Sequence, residues 1–235
     1  MAESTLAHGP AATHGTHPPR LAEHFDSYEQ QRESASLGMW LFLAQEVMFF
    51  GGLFLAYLVY RHAFPAAFTA GSHHLDIRLG AFNTAVLIAS SLTMALAVRG
   101  AQTGARRATV LFLALTMLLG ATFLGVKAVE YGHKWEEHHV PGPTFHYEPE
   151  PGGHGAAVDP GNVEMFFSLY FAMTGLHALH MIVGIGLLAW LLWHAARGRF
   201  TPENHNYVEG VGLYWHFVDI VWIFLFPLLY LIGRH

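Results

Sequence analysis

Five long apolar stretches constrain this chain more than any other feature of its sequence. Each holds about 20 or more mostly apolar residues, the length that an α-helix needs to cross the hydrocarbon core of a bilayer. The sequence therefore predicts an all-α, polytopic membrane helix bundle with five transmembrane helices. The expected spans are roughly Leu37–Tyr60, Gly80–Val98, Ala108–Val129, Met165–Trp193 and Glu209–Gly233.

The composition fits this class and excludes several others. Hydrophobic residues make up 53% of the chain and charged residues only 12%, whereas soluble domains carry about 25% charged residues. A net charge of -5 supplies no basic surface for a nucleic acid. Because the chain has no cysteine, disulfides, thiolate metal sites, iron–sulfur clusters and cysteine nucleophiles are excluded.

The segments outside the spans predict the domain organisation. Residues 1–36 are a polar tail without the apolar core of a signal peptide, so we expect the first span to direct insertion. Residues 37–235 then form one membrane domain. Its longest loop, at about residues 131–162, is rich in Pro and Gly. We expect the loop histidines His138, His139 and His146 to be solvated.

Basic residues in the short loops predict the orientation of the bundle. Arginines cluster in the loops after the second and fourth spans, and the positive-inside rule assigns such loops to the cytoplasm. We therefore expect the N-terminus in the cytoplasm, with the long loop and the C-terminus facing outward. The clustered residues are Arg99, Arg106, Arg107, Arg197 and Arg199.

Three ionisable residues fall at a similar depth within the spans and are candidates for one buried polar cluster. Glu46 lies about 13 Å from the cytoplasmic start of its helix, and His216 and Asp219 lie about 10 and 15 Å from theirs. Placing a polar side chain at such depth in a membrane costs free energy, and residues of this kind are often functional. We expect Glu46, His216 and Asp219 to form an interhelical hydrogen-bond cluster, with proton handling as the alternative.

The remaining ionisable residues of the spans are expected to have structural roles. Lys127 and Glu130 are three residues apart near the outer helix end, where they predict an ion pair with a snorkelling lysine. His177 and His180 have the spacing of a metal-ligand pair but lack further ligands, and His180 lies about 10 Å deeper than His216, which disfavours a shared haem. We therefore expect structural hydrogen bonding at both histidines.

One more polar residue, Asn83, lies near the start of the second span and is likewise expected to be structural. Such groups need interhelical partners in a tight bundle.

Each span carries a short run that matches a signature of one known family, in the family's order. The most specific run is Tyr-Trp-His-Phe-Val-Asp within Glu209–Trp222, and Gly-Leu-His-Ala-Leu-His at the end of Thr174–His180 supports it independently. Over roughly Gly38 to Gly233 the chain resembles subunit III of haem-copper oxidases, the cytochrome c oxidase subunit III family. The other matching runs are Leu41–Gly52, Asn83-Thr84 with Ser90, and Glu130-Tyr131.

The resemblance implies an all-helical subunit of a terminal respiratory oxidase in the bacterial inner membrane. Family members pack against the catalytic subunit I, which carries the haems and copper, in a complex that also contains subunit II. They hold no redox centre themselves, bind phospholipids, and support the stability and proton uptake of the catalytic subunit. The complex reduces oxygen and translocates protons.

The resemblance also assigns residues. Glu46 corresponds to the family's buried glutamate. His205 and Glu209 match positions that contact lipid headgroups, and Arg197 or Arg199 stands near a displaced basic residue. The chain departs from the longer, seven-helix form because it lacks the first two helices, and Lys127 replaces a common glutamine. It resembles the five-helix bacterial form.

The sequence thus predicts subunit III of a bacterial haem-copper oxidase, a structural and supporting chain without a cofactor of its own. Three alternatives remain open at this stage. They are a subunit-III-like accessory protein of nitric oxide reductase, a transmembrane b-type cytochrome, and a proton or metal transporter.

Overall fold

The computed structural model describes residues 26–143, 145–147, 158–201 and 205–231, which fold into a bundle of α-helices. Five of the described helices are long and apolar enough to cross a membrane, which confirms the predicted all-α fold with five spans. A short helix, α2, connects the first two spans. In chain order the helices are α1 (Tyr28–Ala63), α2 (Pro65–His73), α3 (Ile77–Gln102), α4 (Arg106–Glu136), α5 (Pro160–Ala196) and α6 (Asn206–Phe226).

Polar caps determine where three of the helices begin. The Ser27 side chain accepts a hydrogen bond from the Gln30 backbone amide at 3.2 Å, so α1 begins at Tyr28 rather than at the expected Leu37. Asp76 and Asp159 cap α3 and α5 in the same way. Residues 28–36 of the predicted tail are therefore helical, and residues 1–25 lie outside the described part of the chain.

The short helix α2 was not expected from the sequence. Phe64 leaves the helical region, with φ -130° and ψ 59°, because a residue before proline is disfavoured in α conformation. Pro65 then occupies the first turn of α2, where its missing amide hydrogen costs nothing. The chain thus turns at Phe64 and lays α2 against α5, burying Phe68.

The spans differ in how deeply they are buried. Among the described helices α6 is the most buried span and α1 the least. The Trp215 indole, fully buried on α6, lies against two glycines of neighbouring helices. A Cβ atom at Gly120 or Gly184 would lie 2.7 or 2.9 Å from this ring, so only glycine permits the close packing of α4, α5 and α6.

The ends of α4 and α5 extend beyond the membrane. With 31 and 37 residues, these helices are about 46 and 55 Å long, against a hydrocarbon core of about 30 Å. The helical part of α4 continues to Glu136, so the long loop begins later than the expected residue 131. At the end of the bundle where α4 ends, α6 continues into a π-helical turn, Pro227–Leu231.

Candidate functional site

A buried ion pair lies where α4, α5 and the π-helical turn meet. Lys127 Nζ is 3.0 Å from Glu130 Oε2, and it donates to the hydroxyl oxygens of Tyr170 and Tyr230 at the same distance. Both tyrosine hydroxyls donate in turn to Glu130 Oε1. All three protons of the ammonium group therefore have acceptors, and both carboxylate oxygens have donors. We call these four residues the Lys127 network.

Aromatic rings surround the same ammonium group. Its nitrogen lies 5.0–5.7 Å from the centres of four rings, which is within the range of cation–π attraction. Lys127 and Glu130 are 3% and 2% exposed. The expected ion pair is present, but the expectation of a snorkelling lysine was wrong, because α5 and the π-helical turn cover this end of α4. The four rings are those of Tyr131, Tyr170, Trp222 and Tyr230.

Glu46 on α1 binds His180 on α5, with 3.2 Å between Oε2 and Nε2. The other ring nitrogen, Nδ1, lies 2.8 Å from the Leu176 carbonyl oxygen and must donate to it, because a carbonyl only accepts. One further proton then lies between His180 Nε2 and Glu46. The pair is either a carboxylic acid with a neutral imidazole or a carboxylate with an imidazolium, and the two forms differ only in the position of that proton.

The structure does not bring Glu46, His216 and Asp219 into the expected single cluster. His216 Nδ1 lies 2.6 Å from the Ser91 hydroxyl on α3. Both carboxyl oxygens of Asp219 are enclosed within the chain, and no hydrogen-bond partner for them is found in its described part. Glu46 instead points toward α5, where it contacts His180.

Two further buried polar side chains lack the hydrogen bonds expected of them. Both nitrogens of the His177 ring are unpartnered among the described residues. The ring instead packs between Phe123 and Trp222, at 5.3 and 5.2 Å between ring centres. The Asn83 amide is also fully buried without a partner in this part of the chain. The hydrogen bonding expected at His177 is therefore not found in this part of the chain. The structural role expected of Asn83 stays a prediction.

The candidate headgroup residues lie at the opposite end of the bundle and divide into two groups. Glu209 accepts from the Gln102 amide at 2.7 Å and lies 3.2 Å from His205 Nε2, so this pair is engaged within the chain. Arg197 stacks on Trp193, with 3.6 Å from its guanidinium carbon to the ring centre, and Arg199 lies 5.6 Å from the same ring. Both arginines remain open to a ligand.

A polar cluster outside the membrane surrounds His139, which is 7% exposed. The expectation of a solvated side chain was wrong, because the imidazole stacks on Phe167 with 4.9 Å between ring centres. Burial lowers the pKa of His139, the Glu137 hydrogen bond opposes this shift, and the charges of His74 and Lys134 add to it. His139 is therefore held neutral at the surface of the bundle.

Several of these partners were missed from the sequence. Tyr170, Tyr230 and Ser91 were not selected, although a tyrosine in an apolar span needs a partner for its hydroxyl. In the described residues, no group of three or more His, Asp or Glu side chains is placed to hold a metal ion. The arrangement can tie helices together and hold protons.

These features define a multi-pass membrane protein whose helices are joined by buried polar contacts. The profile of the family described as cytochrome c oxidase subunit III matches residues 24–135 and 162–234, which include all five spans. The chain belongs to this family. The internal stretch without a match, residues 136–161, includes the segment between α4 and α5 together with the last residue of α4 and the first two residues of α5.

Named relatives agree with this assignment. The chain is 34% identical to cytochrome c oxidase subunit 3 of Corynebacterium diphtheriae, over 84% of this chain and 87% of the relative. It is 30% identical to quinol oxidase subunit 3 of Bacillus subtilis, over 90% and 97% of the two chains. It is also 30% identical to cytochrome bo(3) ubiquinol oxidase subunit 3 of Pseudomonas aeruginosa, over 83% and 84%.

Proposed function

We propose that this chain is the supporting subunit III of a haem-copper terminal oxidase in the bacterial inner membrane. The family match over all five spans carries this proposal. As a subunit of an oxidase complex the chain works with other oxidase subunits, and we assign these partners as the catalytic subunit I and subunit II. Haem and copper then belong to the partners, and the relatives' names favour an oxidase over the three alternatives.

The proposal includes an orientation of the bundle in the membrane. Arg197 and Arg199 lie at the end of α5 that carries the arginine-rich short loops, and the positive-inside rule assigns this end to the cytoplasm. The Arg197–Trp193 stack there combines a cation with an exposed interfacial tryptophan, which suits the headgroup of an anionic phospholipid. The N-terminus lies on the same side, and the His139 cluster faces outward.

The Glu46–His180 pair is the contact that we connect with proton uptake by the catalytic subunit. It joins the least buried span, α1, to α5 and can hold one proton in either of two positions. A pair of this kind keeps α1 in place and holds a proton between the two helices. Its role is to support and position, because the reacting groups belong to the partner subunit.

The test begins with purification of the tagged chain in a mild detergent. We expect haem-containing oxidase subunits to co-purify and the preparation to reduce oxygen. In proteoliposomes, Glu46→Gln is then expected to lower the number of protons translocated per electron, because the amide cannot take up or release the shared proton. Recovery of the chain without a haem-containing partner would contradict the assignment, and unchanged proton translocation would contradict the role of Glu46.

A further inference from the structure

His139 lies where the loop after α4 meets the ends of α2 and α5. Its imidazole lies flat on the Phe167 ring of α5, with 4.9 Å between the ring centres and 5° between the ring planes. The His74 ring, at the end of α2, contacts the same imidazole at 4.9 Å and nearly at a right angle. One buried imidazole therefore joins three parts of the chain at the end of the bundle that carries the long loop.

Two further contacts hold the loop against α5. The Phe145 ring lies against both His139 and Phe167, with 6.4 and 6.0 Å between the ring centres. The Gly142 backbone amide donates a hydrogen bond to the Glu164 carboxylate on α5 at 2.9 Å. The loop residues around His139 are thus folded over the first turns of α5.

The Lys127 network lies behind this stack. One helical turn further along α5, the Tyr170 ring contacts the Phe167 ring at 6.4 Å between centres. The Tyr170 hydroxyl accepts from Lys127 and donates to Glu130. Since both aromatic rings are fully buried, Phe167 and the imidazole stacked on it form part of the cover of this network.

The groups that face His139 determine how it responds to acid. From the end of α4, the Glu137 carboxylate lies 3.1 Å from Nδ1 of the imidazole and accepts from it, and Lys134 contacts the same carboxylate. From α2 it meets His74, and from α5 the apolar ring of Phe167. Burial lowers the pKa of His139, the hydrogen bond to Glu137 opposes this shift, and the two neighbouring cationic groups add to it.

We propose that His139 is an acid-sensitive latch that closes this end of the bundle over the Lys127 network. The neutral imidazole stays in the stack and holds the loop against α5. When the aqueous phase on this side becomes acidic, a proton binds more readily to an exposed imidazole than to the buried one, so protonation favours the state in which His139 has left Phe167. Water then reaches the aromatic layer that covers the network.

The latch itself does not depend on the proposed function, because it follows from contacts within the chain. On the proposed orientation, this end of the bundle faces the side to which an oxidase releases translocated protons. Acid that accumulates there would open the latch. Only this last step rests on the proposed function, to which it adds a response to the external pH.

A single introduced cysteine can report on the latch, because the chain has none of its own. Val163→Cys places a thiol one turn from Phe167 on the same face of α5. Val208→Cys is the matched control in the first turn of α6, at the opposite end of the bundle, and both valines are 0% exposed. A maleimide is added to unsealed membrane fragments between pH 7.5 and 5, and the labelled chain is then isolated. Each rate is divided by that of the denatured chain at the same pH, because the thiolate fraction also changes with pH.

We expect the normalised labelling of Val163→Cys to rise severalfold as the pH falls from 7.5 to 5. The rise can reach about thirtyfold, the ratio for a group with a pKa of about 6.5 that binds its proton only in the open form. Val208→Cys should be labelled at the same low rate throughout. A constant rate at Val163→Cys, or an equal rise at both positions, would overturn the proposal.

Substitutions of His139, each combined with either cysteine, assign the effect to this residue. His139→Phe keeps a ring on Phe167 but cannot bind a proton, so labelling at position 163 should stay low in acid. His139→Lys carries a charge at every pH used and should already be labelled rapidly at pH 7.5. A full pH response in His139→Phe, or slow labelling of His139→Lys, would show that His139 is not the latch. If His139→Phe is also labelled at position 208, it has not folded, and His139→Lys decides the question.

The latch and the proposed function fail separately. The expected labelling in a chain that recovers no haem-bearing subunit would contradict the proposed function and support the latch. Recovery of that subunit together with labelling that does not depend on pH would overturn the latch alone.

Discussion

Two polar regions of the bundle differ in whether the chain satisfies them by itself. In the Lys127 network every donor and acceptor of the ion pair has a partner within the chain, and aromatic rings seal it. Between α3 and α6, by contrast, His216 has one partner, Ser91, and Asp219 has none among the described residues. Both regions lie at membrane depth, where unmet hydrogen bonds are costly.

The difference bears on the stability of the chain. In a saturated network, hydrogen bonds offset the free energy that it costs to bury the charged groups. An enclosed carboxyl without a donor has no such compensation. Removing one member of the Lys127 network should therefore have a large effect on the unfolding of the free chain, because it leaves a buried charge in the same position as the Asp219 carboxyl.

The largest effect is expected from Lys127→Met. This change leaves Glu130 buried without its cation, which costs about 3–5 kcal/mol when a buried pair loses one partner. Chemical unfolding of the purified chain in detergent measures the loss. Adding Glu130→Leu should recover most of it, because the double variant contains no unpaired charge. A single variant as stable as the wild type would show that the network does not stabilise the bundle.

The sequence predicted the spans better than the contacts among them. Spans follow from length and hydropathy, so all five were found, whereas α2 was missed because nine residues with a proline carry little periodic signal. The ion pair of Lys127 and Glu130 was found because both residues lie on one helix. Tyr170 and Tyr230, which complete the network, come from elsewhere in the chain. Their contacts with the ion pair could therefore be recognised only in the tertiary structure.

Partners on different helices were the main source of error. The depth of Glu46 could be calculated from the rise per residue, but its orientation toward His180 depends on how α1 is rotated about its axis. His177 was expected to hydrogen bond, yet Phe123 and Trp222 occupy the space around its ring. The periodicity of a sequence indicates which residues share a face of a helix. The tertiary packing decides which of those faces contact one another.

The next largest effect concerns Trp215, which joins three helices. Its indole donates to Ser90 on α3 at 2.7 Å and lies against Gly184 on α5. Gly184→Ala places a Cβ atom 2.9 Å from the Trp215 ring, and such overpacking costs about 1–3 kcal/mol. We expect a lower melting temperature of the purified chain.

Gly186→Ala is the control for this change, because a Cβ atom there meets nothing within 4 Å. It should leave the melting temperature near the wild-type value. Equal effects of the two alanine variants would mean that the indole contact is not the cause.

A smaller effect is expected at Glu46, which forms a single interhelical contact. Glu46→Leu leaves His180 Nε2 without its partner, and one such hydrogen bond in a membrane contributes about 0.6 kcal/mol on average. Glu46→Gln can still donate to a neutral imidazole and should be as stable as the wild type. Unfolding curves of the three proteins measure this order, and a Gln variant less stable than the wild type would favour the ionised form of the pair, because the amide carries no charge to attract an imidazolium.

The smallest effect is expected outside the membrane, at His139. Burial lowers the pKa of His139 below that of the unfolded chain, while Glu137 opposes the shift and the charges of His74 and Lys134 add to it. The unfolded state therefore binds the proton more readily, so this contribution to stability is present above the unfolded pKa of about 6.5 and is lost as pH falls below it. After division by the intrinsic exchange rates at each pH, the amides of residues 137–143 should be less protected at low pH in the wild type. The His139→Phe variant retains a ring against Phe167, and its exchange should lose this pH dependence; equal pH dependence in both proteins would exclude His139 as the titrating group.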